Sequence, residues 1–546
     1  MKKSIYKIIS VIICLLITLS FTSCNEDDGE KIDPTKTQLY IGNYNGGLGY
    51  TWLQKAGDLF EEKYANVSFQ SGKTGVQIMI DNNKDNYTGT QLMSSIKTAR
   101  QDVYFTQDVN YYDAVANNLF ADISDIVTEK FDSVDLGEGV KTYSVEDKLS
   151  SELKNYFKVD GKYYGLPFAS PIYGIVYDVD LFNQKRLYFL ANGEVTGSKD
   201  KGDVLSAGSD GIQGTYDDGL PATWEQFKVL MRKMIERGLT PFTWSGLYTY
   251  QRQAFLQSVW VSYEGYNDFM LNNSFSGTTD AGVEINNTNG YLLASQEGKL
   301  AALTAAYDIV SDTKDYSDNA FKTSQTHTGA QEEYLFSTVT DKPIAMLLEG
   351  GYWENEAKGT FGDMVTMYGS EYAYGTRRFG YMPIPKFIGT QGVTDQTNTK
   401  TALNSRLNAT CFINASTSKM KLAKLFLQYT CSNEALSIFN VETGTTRNFN
   451  YVISAENYAK MSPYAQSVYS IFKASQNSVT SEFVTSYQRR QHSDYFQYWD
   501  FTEAKIGSEL FSEPFKDFYN NKGLTPSQWY STYANVYNAD SWKAIL

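Results

Sequence analysis

Residues 38–64 read QLYIGNYNGGLGYTWLQKAGDLFEEKY, and the change of period inside this stretch decides the fold class. Gln38-Leu39-Tyr40-Ile41 has the pattern of a short strand. Asn43 to Gly49 is a glycine-rich turn. Trp52, Leu53, Ala56, Leu59, Phe60 and Tyr64 then recur at helical spacing. The rhythm continues outward. Val76, Ile78 and Ile80 alternate as a strand, Val103-Tyr104-Phe105 reads as another, and Tyr111 to Leu119 reads as a helix. Strand, helix, strand, helix is the order of an α/β sheet. Further on, Thr223 and Gln226 make a capping box for a helix carrying Trp224, Phe227, Leu230, Met231 and Met234. Ser416 to Tyr429 places Leu422, Ala423, Phe426 and Tyr429 on one helical face. Residues 190–219 read as a polar insertion, and no internal repeat is present.

Upstream of the quoted stretch the chain reads as a leader and a tether. Lys2, Lys3 and Lys7 precede a mostly apolar run from Ile8 to Phe21. That run suits a signal-peptide core and is shorter than the roughly 20 residues of a spanning helix. Phe21-Thr22-Ser23-Cys24 resembles the lipobox of bacterial lipoproteins, which makes Cys24 the expected lipidation site and residues 1–23 the expected signal peptide. Phe21 stands where leucine is usual. Residues 24–37 carry Glu26, Asp27, Asp28, Glu30 and Asp33, with Ile32 as the one sizeable apolar side chain. Such a segment buries too little to fold and reads as a flexible acidic tether, spanning on the order of 20 Å.

The formal charge of the chain is −14, and removing the three leader lysines leaves −17. This balance argues against nucleic acid as a partner, because phosphates require Lys and Arg. Aromatic residues are 15% of the chain, with 42 tyrosines. Tyr and Trp offer a flat face and a polar edge, which suits a sugar, although a tyrosine-rich composition by itself gives the same count. Beyond Cys24, the mature chain holds Cys411 and Cys431, which form either one bridge or two buried thiols.

Enzyme signatures are sparse. His327 and His492 are the two histidines, so an HExxH zinc site is absent, and there is no G-x-S-x-G elbow. Gly72-Lys73-Thr74 matches the end of a P-loop, but Val67 occupies the place of its first glycine. Glycosidase carboxylates stay open, because their spacing of about 5–10 Å belongs to the fold. Ser209 to Gly219 resembles the DGxxGTxDD loops of calcium-binding surface proteins. That makes Asp210, Asp217 and Asp218 candidate ligands for a structural calcium, against the alternative of a solvated acidic insertion. No cofactor is otherwise required.

Six segments, in order, resemble the extracellular solute-binding proteins of carbohydrate ABC importers, the group that includes maltose-binding protein. They are Asp102 to Asp108 with Ala116 to Ile126; Tyr164 to Ala169 with Ile175 to Phe182; Leu220 to Phe227; Ala345 to Trp353; Met382 to Pro385; and Ile413 to Leu427. The resemblance covers roughly residues 38–450. It implies a periplasmic-binding-protein-like fold of type II, two α/β lobes joined by crossing strands with a ligand cleft between them. The implied division is 38–168 for the first lobe and 169–348 for the second. Residues 349–407 return to the first, and 408–546 complete the second and pack on the hinge. Crossings are expected near Ala169, Glu349 and Asn408.

Carried over position by position, the resemblance makes eight residues candidate ligand contacts. Asn45 lies in the glycine-rich turn, Gln107 and Asp108 after a strand, and Tyr173 on the crossing strand. Trp244 resembles a family aromatic, and Tyr352 and Trp353 fall at a G-x-W turn; where relatives often carry proline after the late Thr-Gly, this chain departs with Thr445-Thr446-Arg447, which makes Arg447 a candidate facing the cleft. Tyr498-Trp499 offers another stacking ring. The implied partners are a carbohydrate ligand, the permease subunits of an ABC importer, and a membrane held through the lipid anchor. The expected protein is an exported, non-catalytic monomer at the outer face of the cell membrane or on a periplasm-facing membrane. Two other readings are open: a mostly helical outer-membrane glycan-capture lipoprotein of the starch-utilisation type, and an exported glycoside hydrolase.

Overall fold

The computed structural model describes residues 31–169, 171–312, 316–387, 403–404, 409–474, 478–479, 501, 504–506, 509–511, 513–536 and 538–544. Cys24, His492, Tyr498, Trp499 and the expected crossing at Asn408 lie outside them. Nine strands build the two principal sheets. They are β1 (Thr37–Asn43), β2 (Val76–Asn82), β3 (Val103–Gln107), β4 (Leu166–Ala169), β5 (Tyr173–Asp178), β6 (Thr240–Thr243), β7 (Ile344–Gly350), β8 (Phe379–Met382) and β9 (Ala409–Ile413). The first sheet runs β2-β1-β3-β9-β4 and the second β6-β7-β5-β8.

In the first sheet β1 pairs in parallel with β2 and β3. β9 lies antiparallel between β3 and β4, opposing Cys411 to Phe105 and to Leu166. The helix expected after the glycine-rich turn is α1 (Thr51–Lys63), which buries Trp52, Leu53, Ala56 and Phe60. The Trp52 ring meets Phe105 edge-on at 5.3 Å and Phe439 at 5.1 Å. Each such side chain contributes about 2 kcal/mol by leaving water, which holds the helix against the sheet.

The second sheet places β5 centrally, antiparallel to β7 and β8, with β6 parallel to β7. Its covering helix α2 (Trp224–Glu236) buries Trp224, Phe227, Leu230, Met231 and Met234, as the period predicts. Thr223 caps it by accepting from the Gln226 amide. Gln226 Oε1 accepts from Ala222 N at 2.8 Å, one residue before the partner that a reciprocal capping box requires.

The chain passes from the first sheet to the second between β4, which ends at Ala169, and β5. The later division differs from the expectation. β8, assigned to the first lobe, pairs with β5 in the second sheet. β9, assigned to the second lobe, pairs with β3 in the first. Helices α3 (Met420–Tyr429) and α4 (Asn433–Thr443) follow β9 into the first core through Leu422, Phe426, Leu436 and Phe439. The chain returns with α5 (Pro463–Ala474), whose Tyr464 and Val468 pack beside Trp353 and Phe379. Phe515, Phe518, Trp529 and Trp542 complete the core of the second lobe. A buried ion pair, Arg252 Nε to Glu513 Oε1 at 2.9 Å, ties this end in place.

Cys411 and Cys431 are free and buried. Two mixed sheets with helices on them are incompatible with the helical-repeat alternative. Among the described residues, no helix is long and apolar enough to cross a membrane.

Candidate functional site

Strand ends from both sheets converge on one cavity of about 350 Å³. The first lobe supplies the turn after β1 (Tyr44, Gly46, Gly47, Leu48), Lys84, and Gln107 and Asp108 at the end of β3. The crossing supplies Phe168, Ala169 and Pro171. The second lobe supplies Tyr173, Tyr248, Tyr250, His327, Tyr352 and Glu356. A crevice at strand ends, where the chain changes sheet, is the usual ligand position in α/β proteins.

Local geometry explains why these residues face inward. Asp108 has φ +54°, a left-handed conformation that a short polar side chain tolerates, and it turns the chain as β3 ends. Gly47 leaves room for the other lobe: a Cβ there would lie 2.8 Å from Glu356 Oε1. Asn355 Nδ2 donates across the lobes to the Gly47 carbonyl at 2.6 Å.

Behind the tyrosines lies a carboxylate network. Glu349 is 0% exposed and accepts from Gln251 Nε2 at 2.6 Å, its own neighbour Gly350 N at 2.8 Å and Tyr352 Oη at 3.2 Å. Burial, reinforced by the nearby Glu356, pushes its carboxyl up to about 7. Gln331 Nε2 donates to Glu356 Oε2 at 2.6 Å and to Glu349 Oε2 at 3.3 Å, so one amide bridges both acids. His327 Nε2 stands 3.5 Å from Glu356 Oε1, and that carboxylate raises its affinity for a proton. Aromatic rings close the wall: Tyr173 meets Tyr250 at 5.9 Å, and Tyr248 meets Tyr250 at 5.9 Å.

The structure brings Gln107, Asp108, Tyr173 and Tyr352 of the predicted set together at this cavity. Asn45 is exposed on the same turn and is not part of the lining. Trp244 is 0% exposed, packed among Tyr316, Phe321 and Phe515. Trp353 is equally buried against Phe379, Tyr464 and Tyr334. At the G-x-W turn the two neighbours diverge: Tyr352 lines the cleft and Trp353 enters the core. Arg447 is also 0% exposed and donates to the Thr430 and Pro167 carbonyls at 2.7 and 2.9 Å, so it clamps the first lobe from within.

The insertion is organised around its own acids. Asp217 accepts from Ser209 N at 2.6 Å, Asp210 N at 3.0 Å and Thr215 Oγ1 at 2.7 Å. Asp218 accepts from Gly214 N, and Asp210 from Ile212 N. Among the described residues, no group of three or more His, Cys, Asp or Glu side chains is arranged to hold a metal.

Sequence reasoning missed Tyr44, Lys84, Tyr248, Tyr250, His327 and Glu356. Tyr248 and Tyr250 carried a signal: two tyrosines one residue apart, soon after a strand. His327 carried none, because its partner Glu356 belongs to a different helix.

Residues 65–463 match the family described as bacterial extracellular solute-binding protein. No curated protein matches the sequence. Among solved structures, the fold is similar to that of a chitin oligosaccharide binding protein, at 15% identity and a TM-score of 0.55 over 93% of this chain and 99% of that one. It is similar to apo RafE from Streptococcus pneumoniae, at 12% identity and 0.54 over 94% and 100%. It is similar also to the GacH receptor of Streptomyces glaucescens, solved unliganded and with acarbose, at 12% identity and 0.53 over 94% and 98%. With the match spanning most of its length, the chain belongs to the bacterial extracellular solute-binding protein family.

Proposed function

We propose that this protein is the substrate-binding lipoprotein of an ABC importer. In this reading it captures an oligosaccharide or sugar derivative between its lobes, delivers it to the permease, and performs no catalysis. The observation that carries the reading is the cavity at the junction of the two sheets, walled by tyrosines and carboxylates from both lobes. Tyrosine faces stack on sugar rings while carboxylates and amides accept and donate to hydroxyls. The similar folds named above include proteins titled for chitin oligosaccharide and acarbose. Closure of two lobes works by differential affinity: the ligand stabilises the arrangement in which both walls reach it. Cys24, as the lipid anchor, would keep the binder near its importer and raise the local concentration.

A thermal-shift screen with neutral mono- and oligosaccharides at millimolar concentration tests the ligand class. A ligand at 100 times its Kd stabilises by about 2.7 kcal/mol, which a melting curve resolves easily. At least one saccharide is expected to shift melting, and a flat screen contradicts the reading. Metabolic labelling with palmitate tests the anchor: the wild type incorporates label and Cys24→Ser does not.

A further inference from the structure

The charges of the cavity are distributed unevenly with depth. Lys84 is exposed at the rim, where water and salt screen it. Asp108 stands on the first-lobe wall. Deeper, the Glu356 side chain is 17% exposed and Glu349 is fully buried behind Tyr352. His327 is the half-buried base that faces them. A charge pair in such surroundings interacts several times more strongly than one in bulk water. Tyr173, Tyr248 and Tyr250 stand around the same space, and aromatic faces attract cations.

Carboxylates at depth, tyrosine faces beside them and the lining lysine at the rim are the chemistry that recognises an ammonium group. Building on the saccharide reading, we propose that the cavity selects a saccharide bearing a protonated amine over its neutral and carboxylate-bearing analogues. Glu356 is the charge partner and Tyr250 the cation-facing wall. In the ligand-free protein the acid pair is offset by protons. Burial holds one on Glu349 up to about pH 7, and Glu356 favours another on His327. An ammonium arriving at Glu356 takes over that role, so the proton leaves His327 or Glu349 for solvent. No bond is made or broken other than to this proton.

The test is titration calorimetry of the full chain at pH 6.5, in two buffers of different ionisation enthalpy. The probes are a glucosamine oligomer, its N-acetylated counterpart and a glucuronic-acid-bearing oligosaccharide of equal length. The amine is expected to bind at least about tenfold tighter than the acetylated sugar, and to release protons where the others do not. Glu356→Gln is expected to bring the ratio within about threefold. Tyr250→Leu, which keeps the apolar bulk and removes the aromatic face, is expected to lower it as well. Equal or tighter binding of the neutral or acidic sugar overturns the inference while leaving the saccharide reading intact. So does an amine preference that survives both substitutions. Failure of every saccharide, including the neutral screen, overturns both.

Discussion

Gly47 meets the opposite lobe with no side chain of its own. A Cβ there would lie 2.8 Å from Oε1 and 3.1 Å from Cβ of Glu356, so more than a flexible tip would have to move. Gly47→Val is expected to weaken saccharide binding by about tenfold or more, by holding the turn and Glu356 apart. Calorimetry with parallel melting curves checks this; unchanged affinity would show that the turn does not approach Glu356 when ligand is bound. Trp353 gives the opposite pattern. Its ring is packed against Phe379, Tyr464 and Tyr334, so Trp353→Ala is expected to cost about 3–5 kcal/mol of stability, read as loss of melting temperature. Gln107, Asp108, Tyr173 and Tyr352 were reached through the resemblance to carbohydrate-importer binding proteins, whose motifs mark these positions, and not through local pattern alone. Trp353 was misplaced because a turn motif locates two neighbours without saying which turns inward. The Glu349–Gln331–Glu356–His327 group was invisible, since its members meet only through tertiary packing.

At the scale of elements, the strands and helices near β1, β3, α1 and α2 follow from period and capping alone. The sheet membership of β8 and β9 does not, because a strand's pattern records its burial and not its neighbour. Both strands are short and apolar, and each fits either sheet on composition. The polar insertion shows a similar limit. Its closely spaced acids suit calcium, yet Asp217 binds two backbone amides and a threonine hydroxyl, and Asp218 binds a third amide. These acids act as internal anions that hold the loop. Asp217→Ala is therefore expected to lower the melting temperature by the loss of several charge-assisted hydrogen bonds, about 2 kcal/mol or more. A calcium chelator is expected to leave wild-type melting unchanged; a chelator-dependent loss of melting temperature would show that the loop holds a cation.

For the whole molecule, buried acids set the pH dependence. Burial pushes Glu264, Glu349 and Glu354 each up to about 7, from 4.5 when unfolded. The native state then holds more protons than the unfolded chain between those values, so stability falls as pH rises from about 4.5 to 7 and levels off above. His327, raised by Glu356, acts in the same direction. Asp122 and Asp147, held near 2 by hydrogen bonds and lysines despite some burial, lose their contribution as pH falls below about 4. Melting temperature is therefore expected to peak between about pH 4 and 5.5, and Glu354→Gln to flatten the decline toward neutrality. A profile still rising from pH 5 to 7.5 would contradict the burial of these acids. The central claim is that one saccharide is held by walls from both lobes. Its most direct test is calorimetric titration of the best saccharide into wild type, Asp108→Ala from the first lobe and Tyr250→Ala from the second. Each substitution is expected to weaken binding by about tenfold or more with the fold intact, and full affinity in either variant would contradict a ligand shared between the lobes.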